Sequence, residues 1–140
     1  WDVLGKTVYV CENPNFVAIA ADQLGSNCAP LACTDGMPAA AQRMLLIQLA
    51  KAGANLMYHG DFDWPGLHIA NFVIRSVGAR PWRFGHEDYG ACDINPLGQR
   101  LSGTPVPASW DTLLAPAMQA CGLEIPEEAV AATLLQDLTR

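Results

Sequence analysis

The chain has 140 residues and a net charge of −6, with a pI near 4.8. This length buries one ordinary core and not two. The acidic balance excludes a domain that grips nucleic acid unaided through phosphate contacts, so DNA as a substrate would require another domain or subunit to supply much of the grip.

No apolar run approaches ~18 residues and no charged-then-apolar leader opens the chain, which leaves membrane insertion and secretion without support. Five cysteines, Cys11, Cys28, Cys33, Cys92 and Cys121, form an odd set with no CxxC pair. They are expected as reduced thiols in a cytoplasmic protein. A start at Trp1 rather than Met is expected of a piece of a longer protein, specifically its C-terminal part.

In chain order, TVYVC (7–11) is a β-branched and aromatic run that predicts a strand. ENPNFVAIAADQLG then offers Asn13 as a cap, Pro14 in the first turn and a helix stopped at Gly25. CAPLACT (28–34) predicts a second strand, TDGMP a turn, and AAAQRMLLIQLAKAG a helix ending at Gly53. ANLMYHG (54–60) predicts a third strand, DFDW a third polar turn, and PGLHIANFVIRSVG a third helix with Leu67, Ala70, Ile74 and Val77 on one face. ARPWRF (79–84) is a candidate fourth strand.

Three strand-to-helix units, each with a proline near the helix start (Pro14, Pro38, Pro65), predict right-handed crossovers and an α/β fold. Its parallel sheet of about four strands is flanked by helices. Residues 1–90 form the α/β core of a single domain and 91–140 a loop-rich and helical extension, with helices expected near 110–121 and 126–138.

In open parallel sheets ligands bind beyond the carboxyl ends of the strands, and the first three predicted turns carry acids there. Glu12 follows the first strand, Asp35 the second, and Asp61 with Asp63 the third. Several carboxylates brought together repel one another, and the usual remedies are protonation or a divalent cation. Residues i and i+2 of an extended chain point the same way, so Asp61 and Asp63 can share an ion, and oxygen-only ligands favour Mg2+ or Mn2+ over zinc. Taken alone, Asp63 is equally well a helix N-cap. Asp35 and Gly36 in the turn, and His59 at the strand end, are supporting candidates, His59 reading more readily as a hydrogen-bonded structural residue. Arg80 and Arg83, flanking Pro81 and Trp82, are the candidates for a DNA phosphate contact. The cysteines lack zinc spacing, and Trp64 and Trp82 read first as packing residues.

VYVCENP, CTDGMP and HGDFDWPG, in this order, resemble the motifs of the Toprim fold of topoisomerases, primases and several nucleases. DFDWPGLHIA is similar to the aspartate motif of the topoisomerase VI A subunit and meiotic recombination nuclease family. The run from VYVCENP to ARPWRF resembles more closely a bacterial family of Toprim-like C-terminal domains of unknown function, found as the nuclease subunit of Wadjet-type plasmid-defence systems beside an SMC-like ATPase. The resemblance implies that Glu12, Asp61 and Asp63 form an acidic triad. The aspartates would hold Mg2+ or Mn2+, with Glu12 binding metal or acting as general acid or base. It implies metal-assisted phosphodiester cleavage, with DNA, SMC-like subunits and other domains of the same chain as partners and a homodimer as a further arrangement. Tyr9, Tyr58 and Tyr89 do not match the tyrosine nucleophile of the topoisomerase VI relatives, which favours water as the attacking group.

Three other readings stay open at this point. A phosphatase of the haloacid-dehalogenase type uses DxDx[TV], where this chain has Trp64 and Pro65. A non-catalytic Toprim module would bind metal or a partner only, and a primase-like module would transfer nucleotides.

Overall fold

A computed structural model describes residues 2–93, 95 and 97–140 of the chain. Four strands, β1 (Thr7–Cys11), β2 (Leu31–Cys33), β3 (Asn55–His59) and β4 (Arg80–Pro81), form one sheet in the order β2-β1-β3-β4. Every pairing is parallel, the arrangement that strand-to-helix repeats dictate.

The register sets the level of the loops. Cys11 lies opposite Cys33 on one side and His59 on the other, so Glu12, Thr34 and Gly60 leave the sheet side by side.

Side chains alternate across the sheet, as a period of two requires. Val8, Val10, Leu56 and Tyr58 face a core shared with Leu46, Leu67 and Val73. Cys11 faces the opposite core with Phe16, Ala20, Trp82, Leu134 and Leu138. The first core is roofed by α2 (Ala40–Lys51) and α3 (Trp64–Val77), the second by α1 (Pro14–Leu24) and α6 (Ala131–Leu138).

Local chemistry starts and stops these helices. Asn13 Oδ1 accepts the Asn15 N–H at 2.9 Å, with Pro14 following where no N–H is needed. Asp63 Oδ1 accepts the Gly66 N–H at 2.6 Å and caps α3. Gly78, at φ 72°, closes α3 in the left-handed conformation that glycine adopts freely.

Prolines shorten two of the expected strands. The strand expected over 28–34 is confined to Leu31–Cys33: Pro30 has no N–H to give, and Cys28 pairs in antiparallel fashion with Thr139 instead. The candidate fourth strand is paired only at Arg80–Pro81, after which Trp82 N–H still donates to the Tyr58 carbonyl at 2.7 Å.

Beyond β4 a short helix, α4 (His86–Gly90), was not foreseen. The two later helices are α5 (Leu114–Cys121) and a 3₁₀ turn at Glu127–Val130 that runs into α6. Ile94 and Pro96, in the turn-rich stretch between α4 and α5, lie outside the described residues. No described helix is long and apolar enough to cross a membrane.

The carboxyl-terminal segment is stitched into the loops above the sheet. Phe62 and Ile125 exchange both backbone hydrogen bonds, at 2.9 and 3.1 Å. Trp82 Nε1 donates to Asp137 Oδ2 at 2.8 Å, and the Arg83 guanidinium grips the same carboxylate from α6.

Candidate active site

The loops that leave β1 and β3 bring two acids into direct relation. The Asp61 N–H donates to Glu12 Oε1 at 3.2 Å, across 49 positions of sequence. Asp63 follows in the same loop and spends Oδ1 on capping α3. Asp61 Oδ1 accepts a third backbone N–H, from Glu127, at 2.7 Å. Each of the three carboxylates therefore has one oxygen fixed by a main-chain donor, while its second oxygen makes no hydrogen bond to another described residue.

Two glycines make this packing possible. A Cβ at Gly66 would stand 2.1 Å from the Asp61 carbonyl oxygen and 2.8 Å from Asp63 Oδ1. Only glycine lets the DFD loop fold back over the start of α3. A Cβ at Gly60 would stand 2.8 Å from Glu12 Oε1 and 3.3 Å from the Tyr58 hydroxyl.

The site is electrostatically loaded. Burial, and after it the charge of Asp61, pushes Glu12 up to about 8, against the opposing hydrogen bond from the Asp61 N–H. Burial raises Asp63 as well, with the Gly66 N–H working the other way. Glu124 is raised by burial and by the charges of Asp63 and Asp61, so it belongs to the same field.

Glu127 is the residue that sequence reasoning missed. Its side chain is fully buried, its Oε1 accepts the Asn13 N–H at 2.8 Å, and its Oε2 lies 3.4 Å from the Glu12 nitrogen and 2.8 Å from His59 Nδ1. Burial pushes Glu127 up to about 8 and His59 down to about 3, each toward its uncharged form. In IPEEAV nothing distinguishes Glu127 from exposed Glu128, since acids are ordinary in a first helical turn. The distinction comes from partners 66 to 115 positions away.

The other sequence candidates sit around this centre. His59 is fully buried and hydrogen-bonded to Glu127, and its Nε2, which has no partner, belongs to a residue lining a cavity of about 290 Å³ with Phe62, Asp88, Ile125 and Leu134. Asp35 is exposed at φ 53°. The neighbouring Gly36 N–H donates to the Glu12 carbonyl at 3.2 Å, so this turn supports the Glu12 backbone. Arg80 is exposed on β4, whereas the Arg83 guanidinium is engaged by Asp137, with Nη2 3.0 Å from Oδ1. Trp64 and Trp82 are both buried.

The donor set fits a hard divalent cation: three carboxylates, each with an oxygen to spare, in a place where burial and mutual repulsion penalise negative charge. Among the described residues, no three His, Cys, Asp or Glu side chains stand close enough together to form a ready-made metal cage.

The family model described as "Protein of unknown function C-terminus (DUF2399)" matches residues 1–138, and the chain belongs to that family. No curated protein and no solved structure matches it.

Proposed function

We propose that this member of the DUF2399 family is a Toprim-like nuclease domain that hydrolyses DNA phosphodiester bonds with Mg2+ or Mn2+, working beside SMC-like subunits in defence against plasmids or phage. One observation carries the reading: the hydrogen bond from the Asp61 N–H to Glu12 Oε1 ties the acid after β1 to the DFD loop after β3. That link supports reading the three motif acids as parts of one site.

Glu12, Asp61 and Asp63 would hold the cation through their unengaged oxygens. Bound there, it would neutralise the scissile phosphate, stabilise the leaving oxygen and lower the pKa of an attacking water. Without a cation Glu12 is pushed up to about 8 by burial and by Asp61, so a cation binding there near neutral pH displaces its proton. Asp61 is oriented by the Glu127 N–H, and Asp63 by its cap on α3. The net charge of −6 means that DNA must be delivered by other domains or subunits.

The test is cleavage of supercoiled plasmid by the assembled complex with Mg2+ or Mn2+. Asp61→Asn, Asp63→Asn and Glu12→Gln are each expected to lower the cleavage rate by at least about 100-fold with the fold intact. Full cleavage by the double variant Asp61→Ala, Asp63→Ala would sink the nuclease reading.

The lack of a ready-made cage among the described residues favours one second reading, a non-catalytic module that binds a partner. It predicts unchanged biological activity in the same variants.

A further inference from the structure

Tyr58 is fully buried, and its hydroxyl makes no well-formed hydrogen bond to another described residue. Native interiors rarely leave a phenol in that state, because desolvation is then uncompensated. The ring is anchored in the core beneath the sheet, and β3 is held at this residue by its pairing with Val10 and Pro81. The hydroxyl is thereby carried up to the rim.

The geometry at Gly60 locates it. The place a Cβ would occupy lies 3.3 Å from the Tyr58 hydroxyl and 2.8 Å from Glu12 Oε1, so the two oxygens flank the same gap. Burial, and after it the Glu12 carboxylate, raises the Tyr58 phenol well above its ordinary value, with the buried Thr34 side chain working the other way. The gap at Gly60 therefore lies between the Tyr58 hydroxyl and Glu12 Oε1.

We propose that Tyr58 is a positioning residue for Glu12, its hydroxyl donating across the Gly60 gap, through a bridging water, to hold the Glu12 carboxylate toward the acids of the DFD loop. The inference rests on the reading of Glu12 as a cation-holding acid. Tyr58 itself touches neither substrate nor ion. It fixes the orientation of a ligand, the role that outer hydrogen-bond partners play around metal sites, where their loss typically weakens binding 10- to 100-fold.

The test is Mn2+ affinity by titration calorimetry on the intact chain, with thermal unfolding in chelator measured alongside. Tyr58→Phe keeps the ring and removes only the hydroxyl. It is expected to weaken Mn2+ binding by about tenfold without lowering the melting temperature. Added to Glu12→Gln it should cause no further loss, because the two residues act as one unit. Gly60→Ala, which puts a methyl group between the two oxygens, should also weaken binding and carries the test should Tyr58→Phe not fold. Wild-type affinity in Tyr58→Phe, with Glu12→Gln impaired, overturns the role of Tyr58 and leaves the acidic site standing. Unaltered binding in Glu12→Gln, or no Mn2+ binding by the wild-type chain, overturns both.

Discussion

The Glu127 backbone N–H donates to Asp61 Oδ1 at 2.7 Å, while the Glu127 carboxyl group holds the Asn13 N–H and the His59 ring. One residue near the carboxyl end thus clamps the loops that follow β1 and β3. Glu127→Ala leaves the Asn13 N–H and His59 Nδ1 buried without a partner and is expected to destabilise the fold by about 2–4 kcal/mol. Glu127→Gln keeps a carbonyl acceptor and should cost less. Urea unfolding curves of the two variants check the order, and a harmless Glu127→Ala would remove the clamp.

The acidic site should be visible in the pH dependence of stability. Glu12 has an ordinary pKa of 4.5 and is pushed up to about 8, first by burial and then by Asp61. The folded chain keeps a proton there that the unfolded chain has released, so stability falls as pH rises from 4.5 and levels off above 8. Buried His59 opposes this only below its ordinary value of 6.5, where the unfolded chain takes up a proton and the folded chain does not. Between pH 6.5 and 8, in chelator, the melting temperature is therefore expected to fall with rising pH. Added Mn2+ should raise it more at pH 8 than at pH 6.5, since the cation takes over from the proton. Glu127, pushed up to about 8 by burial, adds a fall in the same window, so a melting temperature that climbs with pH in chelator would contradict both raised acids, and the part of the slope lost in Glu12→Gln measures the share of Glu12.

Asp63 caps a helix, and the proposed function gives it a second role as a cation ligand; substitution can separate the two. Its Oδ1 caps α3 by accepting the Gly66 N–H at 2.6 Å, and its other oxygen is available to an ion. Asn is as good a cap as Asp, so Asp63→Asn should stay within about 0.5 kcal/mol of wild-type stability while weakening Mn2+ binding, whereas Asp63→Ala should lose about 1 kcal/mol as well. Chemical denaturation and calorimetry on both variants check this. Equal Mn2+ affinity in Asp63→Asn and wild type would reduce Asp63 to a helix cap.

Asp137 joins α6 to the end of β4. It accepts from Trp82 Nε1 and from the Arg83 guanidinium, and the Arg83 hydrogen bond is the main reason its carboxyl lies below the ordinary value. Asp137→Ala is expected to cost about 1–3 kcal/mol, because it strands the buried indole N–H and frees the guanidinium. Thermal unfolding measures the loss. The variant should also leave Arg83, already exposed, without its carboxylate partner, and a gain in DNA binding by the assembled complex would show that Arg83 can reach phosphate when released.

The part of this molecule legible in its sequence is the part written in short-range chemistry. Asn13–Pro14, Asp63 with Pro65, and Gly78 mark helix ends by interactions that span a few residues. The alternation of Val8 and Val10 with Tyr9 and Cys11 marks a strand between two cores. The placement of Glu12 beside Asp61 follows from parallel order and a common register. The extents of β2 and β4 were less legible because Pro30 and Pro81 interrupt runs whose composition still looks like strand. Glu127 was not legible at all: its burial depends on Asn13, Asp61 and His59, none of which a local window contains.

Glu127 comes 115 positions after Glu12. Because synthesis proceeds from the amino end, the sheet, both motif loops and all three acids leave the ribosome before the residue that locks them together. A nascent or broken chain that stops short of residue 127 holds Glu12, Asp61 and Asp63 without the main-chain donor to Asp61 and without the acceptor for Asn13. Order of synthesis therefore sets the order of assembly: the two loops carrying the acids are complete before the residue that ties them together.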